Sequence, residues 1–157
     1  MPVTLKWTPD ALAHLNAMTD SDTHSALSEG MEGTLIAAES QSRILAPVDT
    51  GRLRSSITHE TRWEGDTLVG AWGTNVEYAP HIEYGTKAHF PPVAAITTWA
   101  MRHGVKDPFA LALAIARHGV KAHPFLQPVL DAPFLLTIYT KQMFDAVTRL
   151  WGKISGD

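Results

Sequence analysis

The chain has 157 residues, which suits one domain able to bury about 70% of the surface its unfolded form exposes. With 45% hydrophobic and 18% charged residues it is no disordered chain, and with no cysteine it holds no disulfide, thiolate metal site or thiol nucleophile, as expected of folding in a reducing cytoplasm. A net charge of −3 argues against a nucleic-acid binder unless charge is segregated, and it partly is: residues 1–50 carry Lys6 and Arg43 against seven acids, whereas residues 51–121 carry eight Lys or Arg against six acids. Such a split suits complementary faces of neighbouring subunits or, more plainly, ordinary surface variation.

The first residues, Met1-Pro2-Val3-Thr4-Leu5-Lys6, lack the charged-then-apolar pattern of a secretion signal, and no stretch approaches the roughly 20 apolar residues of a membrane span. Thr8-Pro9-Asp10 reads as the start of a short helix carrying Leu12, Leu15 and Met18. A longer helix is expected over 21–46, because Leu27, Met31, Leu35, Ala38, Ser42 and Leu45 recur every three or four residues. Gly30 and Gly33 either weaken it or let another backbone come close, and Pro47 ends it.

After Asp49-Thr50-Gly51 the period changes from 3.6 to 2. Residues 56–63 and 68–74 flank Glu64-Gly65-Asp66-Thr67, which predicts a β-hairpin with apolar positions at Ile57, Trp63, Leu68, Val69 and Trp72. Gly70 and Gly73 inside the second strand suggest a bulge or a close backbone contact. A helical turn over 77–84 leads into an extended loop. Pro92 then opens a helix with Val93, Ile96, Trp99 and Ala100, ended by Gly104. Asp107-Pro108 caps another, with Leu111, Ala114 and Ile115 inward, ended by Gly119. These two form a helical hairpin. His123-Pro124-Phe125-Leu126-Gln127-Pro128 reads as an extended or turn segment, with an edge strand as one form. A terminal amphipathic helix is expected over 133–151, with Leu135, Ile138, Tyr139, Met143, Ala146 and Leu150 along it.

No catalytic, cofactor or metal residue is assigned. The eight histidines include no His-Glu-x-x-His, and His103 and His118 each adjoin a helix-ending glycine, where the helix dipole favours a cation. No Gly-x-Ser-x-Gly and no phosphate-binding glycine loop is present. Glu77 and Glu83 are the best carboxylate pair, more simply read as solvated or interface groups. Arg52, Arg54, Arg62, Lys87, Arg102, Lys106, Arg117 and Lys121 match no nucleic-acid module.

Three motifs carry more information together than singly. Ala46-Pro47-Val48-Asp49-Thr50-Gly51-Arg52-Leu53-Arg54-Ser55-Ser56-Ile57 follows the long helix. Gly73-Thr74-Asn75-Val76-Glu77-Tyr78-Ala79-Pro80-His81-Ile82-Glu83-Tyr84-Gly85-Thr86 follows the hairpin. Ala122-His123-Pro124-Phe125-Leu126-Gln127-Pro128-Val129-Leu130 precedes the last helix. In this order they resemble the small tail-component family of tailed double-stranded-DNA bacteriophages, whose members serve as minor tail, tail-completion or neck proteins. The resemblance covers about residues 27–150.

It implies an α+β fold: a small antiparallel sheet packed by the long first helix and the last helix, with residues 86–123 as an inserted helical hairpin. Residues 1–20 are an extension that the resemblance does not place, and Pro133 is a point where the last helix could kink or start late. The implied role is a non-enzymatic virion protein without cofactors, made in the host cytoplasm and assembled as a ring, sixfold to match the tail. Its partners are then further copies of itself, a tail-tube or tail-terminator protein, and a head-completion or connector protein. DNA passes through the ring without specific recognition, and no membrane is involved. The alternatives are an assembly factor absent from the finished particle and a hydrolase using His81 and Glu83.

The motif chemistry suits assembly. Asp49 can accept backbone N–H bonds in a turn that Gly51 frees and Thr50 caps toward Arg52 and Leu53. Tyr78, Tyr84 and Phe125 are the aromatics expected at contacts, framed by Ala79, Glu83, Gly85, Thr86, Pro124 and Pro128.

Overall fold

The computed structural model describes residues 3–6 and 20–155. The short helix expected around Leu12 and Leu15 lies outside the described residues. The elements in chain order are β1 (Val3–Lys6), α1 (Asp20–Leu45), α2 (Arg52–Ser56), β2 (Thr58–Glu64), β3 (Thr67–Gly73), α3 (Ala79–Tyr84), α4 (Val93–Arg102), α5 (Pro108–His118), α6 (Gln127–Leu130) and α7 (Pro133–Ser155). The architecture is α+β, with a sheet in the order β1-β3-β2 and both pairings antiparallel. Thus Val3–Lys6, part of the unplaced extension, is an edge strand against β3, with Val3 opposite Trp72 and Lys6 opposite Val69. Four residues are too few to display a period, so the pairing was invisible in the sequence.

The hairpin register sets Trp63 opposite Leu68, Thr61 opposite Gly70 and His59 opposite Trp72. Alternation then turns His59, Thr61 and Trp63 to one face together with Leu68, Gly70 and Trp72. The long helix α1 lies across this face. Its Leu27, Met31, Leu35 and Ala38 are fully buried, and each fully buried Leu or Met stabilises the fold by roughly 1.5–3 kcal/mol. Gly70 is where the helix approaches the strand: a Cβ there would lie 2.7 Å from the Met31 sulfur, so the residue marks a close contact.

Both indole donors at this interface are satisfied by side chains of α1. The Trp72 indole donates to Ser42 Oγ at 3.1 Å, and Trp63 donates to Ser28 Oγ at 3.0 Å. His24 stacks on Trp63 with ring centroids 4.0 Å apart. The terminal helix α7 packs on α1 through Leu135, Met143, Ala146 and Leu150. At Gly30 of α1 a Cβ would meet Met143 Sδ at 3.0 Å and the Gln142 carbonyl oxygen at 3.1 Å. Of the two readings open for this glycine, close helix approach is the one realised. Pro133 neither kinks nor delays α7, because it occupies the first helical position, where its missing N–H has no partner to lose.

Three local expectations are corrected. Ser56 does not begin the hairpin strand but ends helix α2, and Leu53, not a turn, anchors that helix in the core. The segment around Phe125 is no edge strand: its end winds into α6. In α5 the buried residue is Ala112, while Ala114 is exposed and Leu111 and Ile115 are half-buried.

Candidate assembly site: three joined motifs and a projecting arm

The three motifs, far apart in sequence, meet in one place. Ser56 Oγ and Thr74 Oγ1 are 2.6 Å apart, linking the first motif to the second, and Thr74 Oγ1 also accepts the Val76 N–H at 3.1 Å. Arg43 reaches back from α1 to the Ile57 carbonyl at 2.7 Å.

The link from the second motif to the third centres on Glu83. Its side chain is buried, and its Oε2 accepts the backbone N–H groups of Phe125 at 2.8 Å and Leu126 at 3.1 Å, while Oε1 accepts that of Gln127 at 2.8 Å. A negative charge at the start of a helix, met by three N–H donors, neutralises the orphan donors that a helix start leaves. Next to it the His123 N–H donates to the Ile82 carbonyl at 2.8 Å. Both Glu83 oxygens are thus committed to holding backbone, and the pairing of His81 with Glu83 for hydrolysis loses its carboxylate. His81 itself is exposed.

The remaining motif residues divide between inside and outside. Leu53, Ala79 and Phe125 are at most 4% exposed, so Phe125 belongs to the core rather than to a contact surface, as its burial under the Glu83 cap dictates. Tyr78, Tyr84, Pro124, Pro128 and Arg52 are exposed. Asp49 does not cap its own turn as expected. It pairs with the guanidinium of Arg102, with Nε at 2.9 Å and a second contact through Nη2, and that hydrogen bonding holds its carboxyl below the usual carboxylate value. Thr50 Oγ1 lies 3.5 Å from the Arg52 nitrogen, and Gly51 takes φ 82°.

Residues 86–123 form an arm of the helical hairpin α4–α5. At its base Thr86 N–H donates to the Val120 carbonyl at 2.9 Å, and Val120 N–H donates to Thr86 Oγ1 at 3.0 Å. Gly85 and Gly119 flank this bridge, both with φ 71°, and a Cβ on Gly119 would sit 2.0 Å from the Thr86 carbonyl oxygen. Only glycine fits such a crossing. Asp107 caps α5 as expected, accepting from Phe109 and Ala110 nitrogens at 2.9 and 3.2 Å. The arm exposes Phe90, Trp99, Met101, Phe109 and Leu113. Its second tie to the body is the Asp49–Arg102 pair.

A polar cluster absent from the sequence reading joins α1 to β2. The His59 ring bridges two carboxylates, Nε2 meeting Glu32 Oε1 at 2.8 Å and Nδ1 meeting Glu39 Oε2. Thr61 donates to Glu32 Oε2 at 2.9 Å, and Arg43 pairs with Glu39 at 2.8 Å. Burial disfavours the imidazolium, but the two carboxylates outweigh it and raise the His59 pKa; the His59 hydrogen bond in turn lowers that of Glu32. Glu32 and Glu39 lie two helical turns apart and His59 and Thr61 share a strand face, but neither spacing names the other pair as its partner.

These features describe a scaffold that exposes aromatic and apolar groups around a tightly tied junction. Residues 10–85 match the family model described as "Bacteriophage HK97-gp10, putative tail-component". Over that span, just under half its length, the chain is similar to this family of phage tail components, and the match ends at Gly85, where the arm begins. Neither the curated proteins nor the solved structures contain a match.

Proposed function

We propose that this chain is a structural protein of a tailed-phage virion, placed at the neck or tail top, where it joins the tail to head-completion proteins as a ring. The observation that carries this reading is the similarity of residues 10–85 to phage tail components. It is supported by the chemistry of the junction, where the best-placed acid, Glu83, holds backbone instead of facing solvent. Among the described residues no helix is long and apolar enough to cross a membrane. In the ring, copies of this chain stack between a tail-tube or tail-terminator protein and a connector, with DNA passing through the lumen. Cryo-electron microscopy of the purified virion tests it. Sixfold density fitted by this fold at the head–tail junction is the expected result. A finished particle lacking the chain would leave it an assembly factor instead.

A further inference from the structure

The arm and the rest of the chain carry opposite charge. Residues 86–123 hold five lysines or arginines and one aspartate, a balance of +4; the remainder holds eight and fifteen acids, a balance of −7. Asp107, the arm's one acid, is spent capping α5. On the body α1 has Asp20, Asp22, Glu29, Glu32 and Glu39 against Arg43; Glu32 and Glu39 are held in the His59 cluster, which leaves Glu29, in surface contact with Arg149 at 3.2 Å, as the acid toward the outward face. Helical spacing sets Glu29, Ile36, Ser40 and Ile44 along one ridge of α1, about 22 Å long at 1.5 Å per residue. All four are exposed, Ile36 by 51% and Ile44 by 67%. The arm offers the matching surface: Met101 is 67% and Phe109 53% exposed beside Lys106 at the hairpin turn.

We propose that the arm of one copy docks on the outward ridge of α1 of a second copy, Met101 and Phe109 covering Ile36 and Ile44 while Lys106 joins Arg149 on the exposed Glu29 carboxylate. This rests on the assembly role proposed above and specifies the contact that builds it. Because the two surfaces differ, the contact is head-to-tail, and repeating it closes a ring or extends a filament instead of stopping at a twofold dimer. Exposed apolar groups supply the attraction, and the charge asymmetry sets which surface meets which. The arm lies outside residues 10–85, the span that matches the family model.

Sedimentation of the full chain up to millimolar concentration tests the contact. Wild type should self-associate beyond a dimer, and added salt should weaken it. Met101→Glu with Lys106→Glu, and separately Ile36→Ser with Ile44→Ser, should each raise the dissociation constant at least about tenfold. All four positions are exposed, and an unchanged circular-dichroism melt confirms that each variant folds. An equimolar mixture of the two variants should form dimers and nothing larger, since one intact arm meets one intact ridge. Wild type that stays monomeric at millimolar concentration, or variants that cannot complement each other, would overturn the proposal. A chain found at the neck of the virion yet monomeric in this assay sinks the arm contact alone; a chain that self-associates as described yet is missing from the virion sinks the neck reading alone.

Discussion

The carboxylate of Glu83 accepts the backbone N–H of Phe125 at 2.8 Å across 42 residues of chain. This contact turns a helix end in the second motif into the lid over the third. It explains why a buried acid and a fully buried aromatic occupy segments that look like solvent-facing loops in the sequence. A charged acceptor for three N–H groups is among the stronger hydrogen-bonded arrangements available to a protein.

Replacing Glu83 therefore has a graded cost. Glu83→Ala leaves the Phe125, Leu126 and Gln127 donors without an acceptor, and about 3 kcal/mol or more of stability should be lost. Glu83→Gln keeps one carbonyl oxygen but points an NH2 at a backbone donor, so roughly half that loss is expected. Urea denaturation of both variants measures it; an alanine variant as stable as wild type would contradict the capping role.

The His59 cluster makes stability depend on pH in a definite direction. The folded pKa of His59 is raised, so its contribution is complete below the ordinary value of 6.5 and is lost as pH rises through the folded value. The folded pKa of Glu32 is lowered, so its contribution is complete above 4.5 and is lost as pH falls through the folded value. The stability gap between wild type and His59→Gln should thus be widest between those two ordinary values and should shrink on the alkaline side. Melting curves from pH 4 to 9 read it directly. A gap that widens toward alkaline pH would reverse the assignment.

Gly119→Ala should free the arm while sparing the core. Its Cβ would collide with the Thr86 carbonyl oxygen at 2.0 Å from a backbone conformation that already disfavours alanine. The Thr86–Val120 bridge should open, and hydrogen exchange at Thr86 and Val120 should quicken while amides of α1 and β3 stay protected. Slow exchange at the bridge in the variant would mean that the arm is held by something else.

Asp49→Ala should leave the melting temperature nearly unchanged. The Asp49–Arg102 pair is exposed, and ion pairs in water contribute little. The sequence suggested an Asp49 that accepts backbone N–H bonds in its own turn; the pairing with Arg102 replaces that expectation. Calorimetry of the single variants and the double variant checks it, with a large non-additive loss as the contrary result.

The sequence by itself determined the long amphipathic helix, the hairpin, the two glycine-ended helices of the arm and the terminal helix. In each, the period of apolar residues and the stop signals are local properties of consecutive residues, and the structure follows them to within a few positions. Tertiary structure alone decided the rest. Gly30 could have been a weak point in α1 until α7 came within contact of it. Val3–Lys6 became a strand because β3 had a free edge to pair. His59, Glu32 and Glu39 became one cluster, and Glu83 became a cap, because helix packing and loop closure bring together groups tens of residues apart. Local patterns encode which face of an element is apolar, but the partner of a polar side chain is set by where the chain returns in space, and no period in the sequence records that distance.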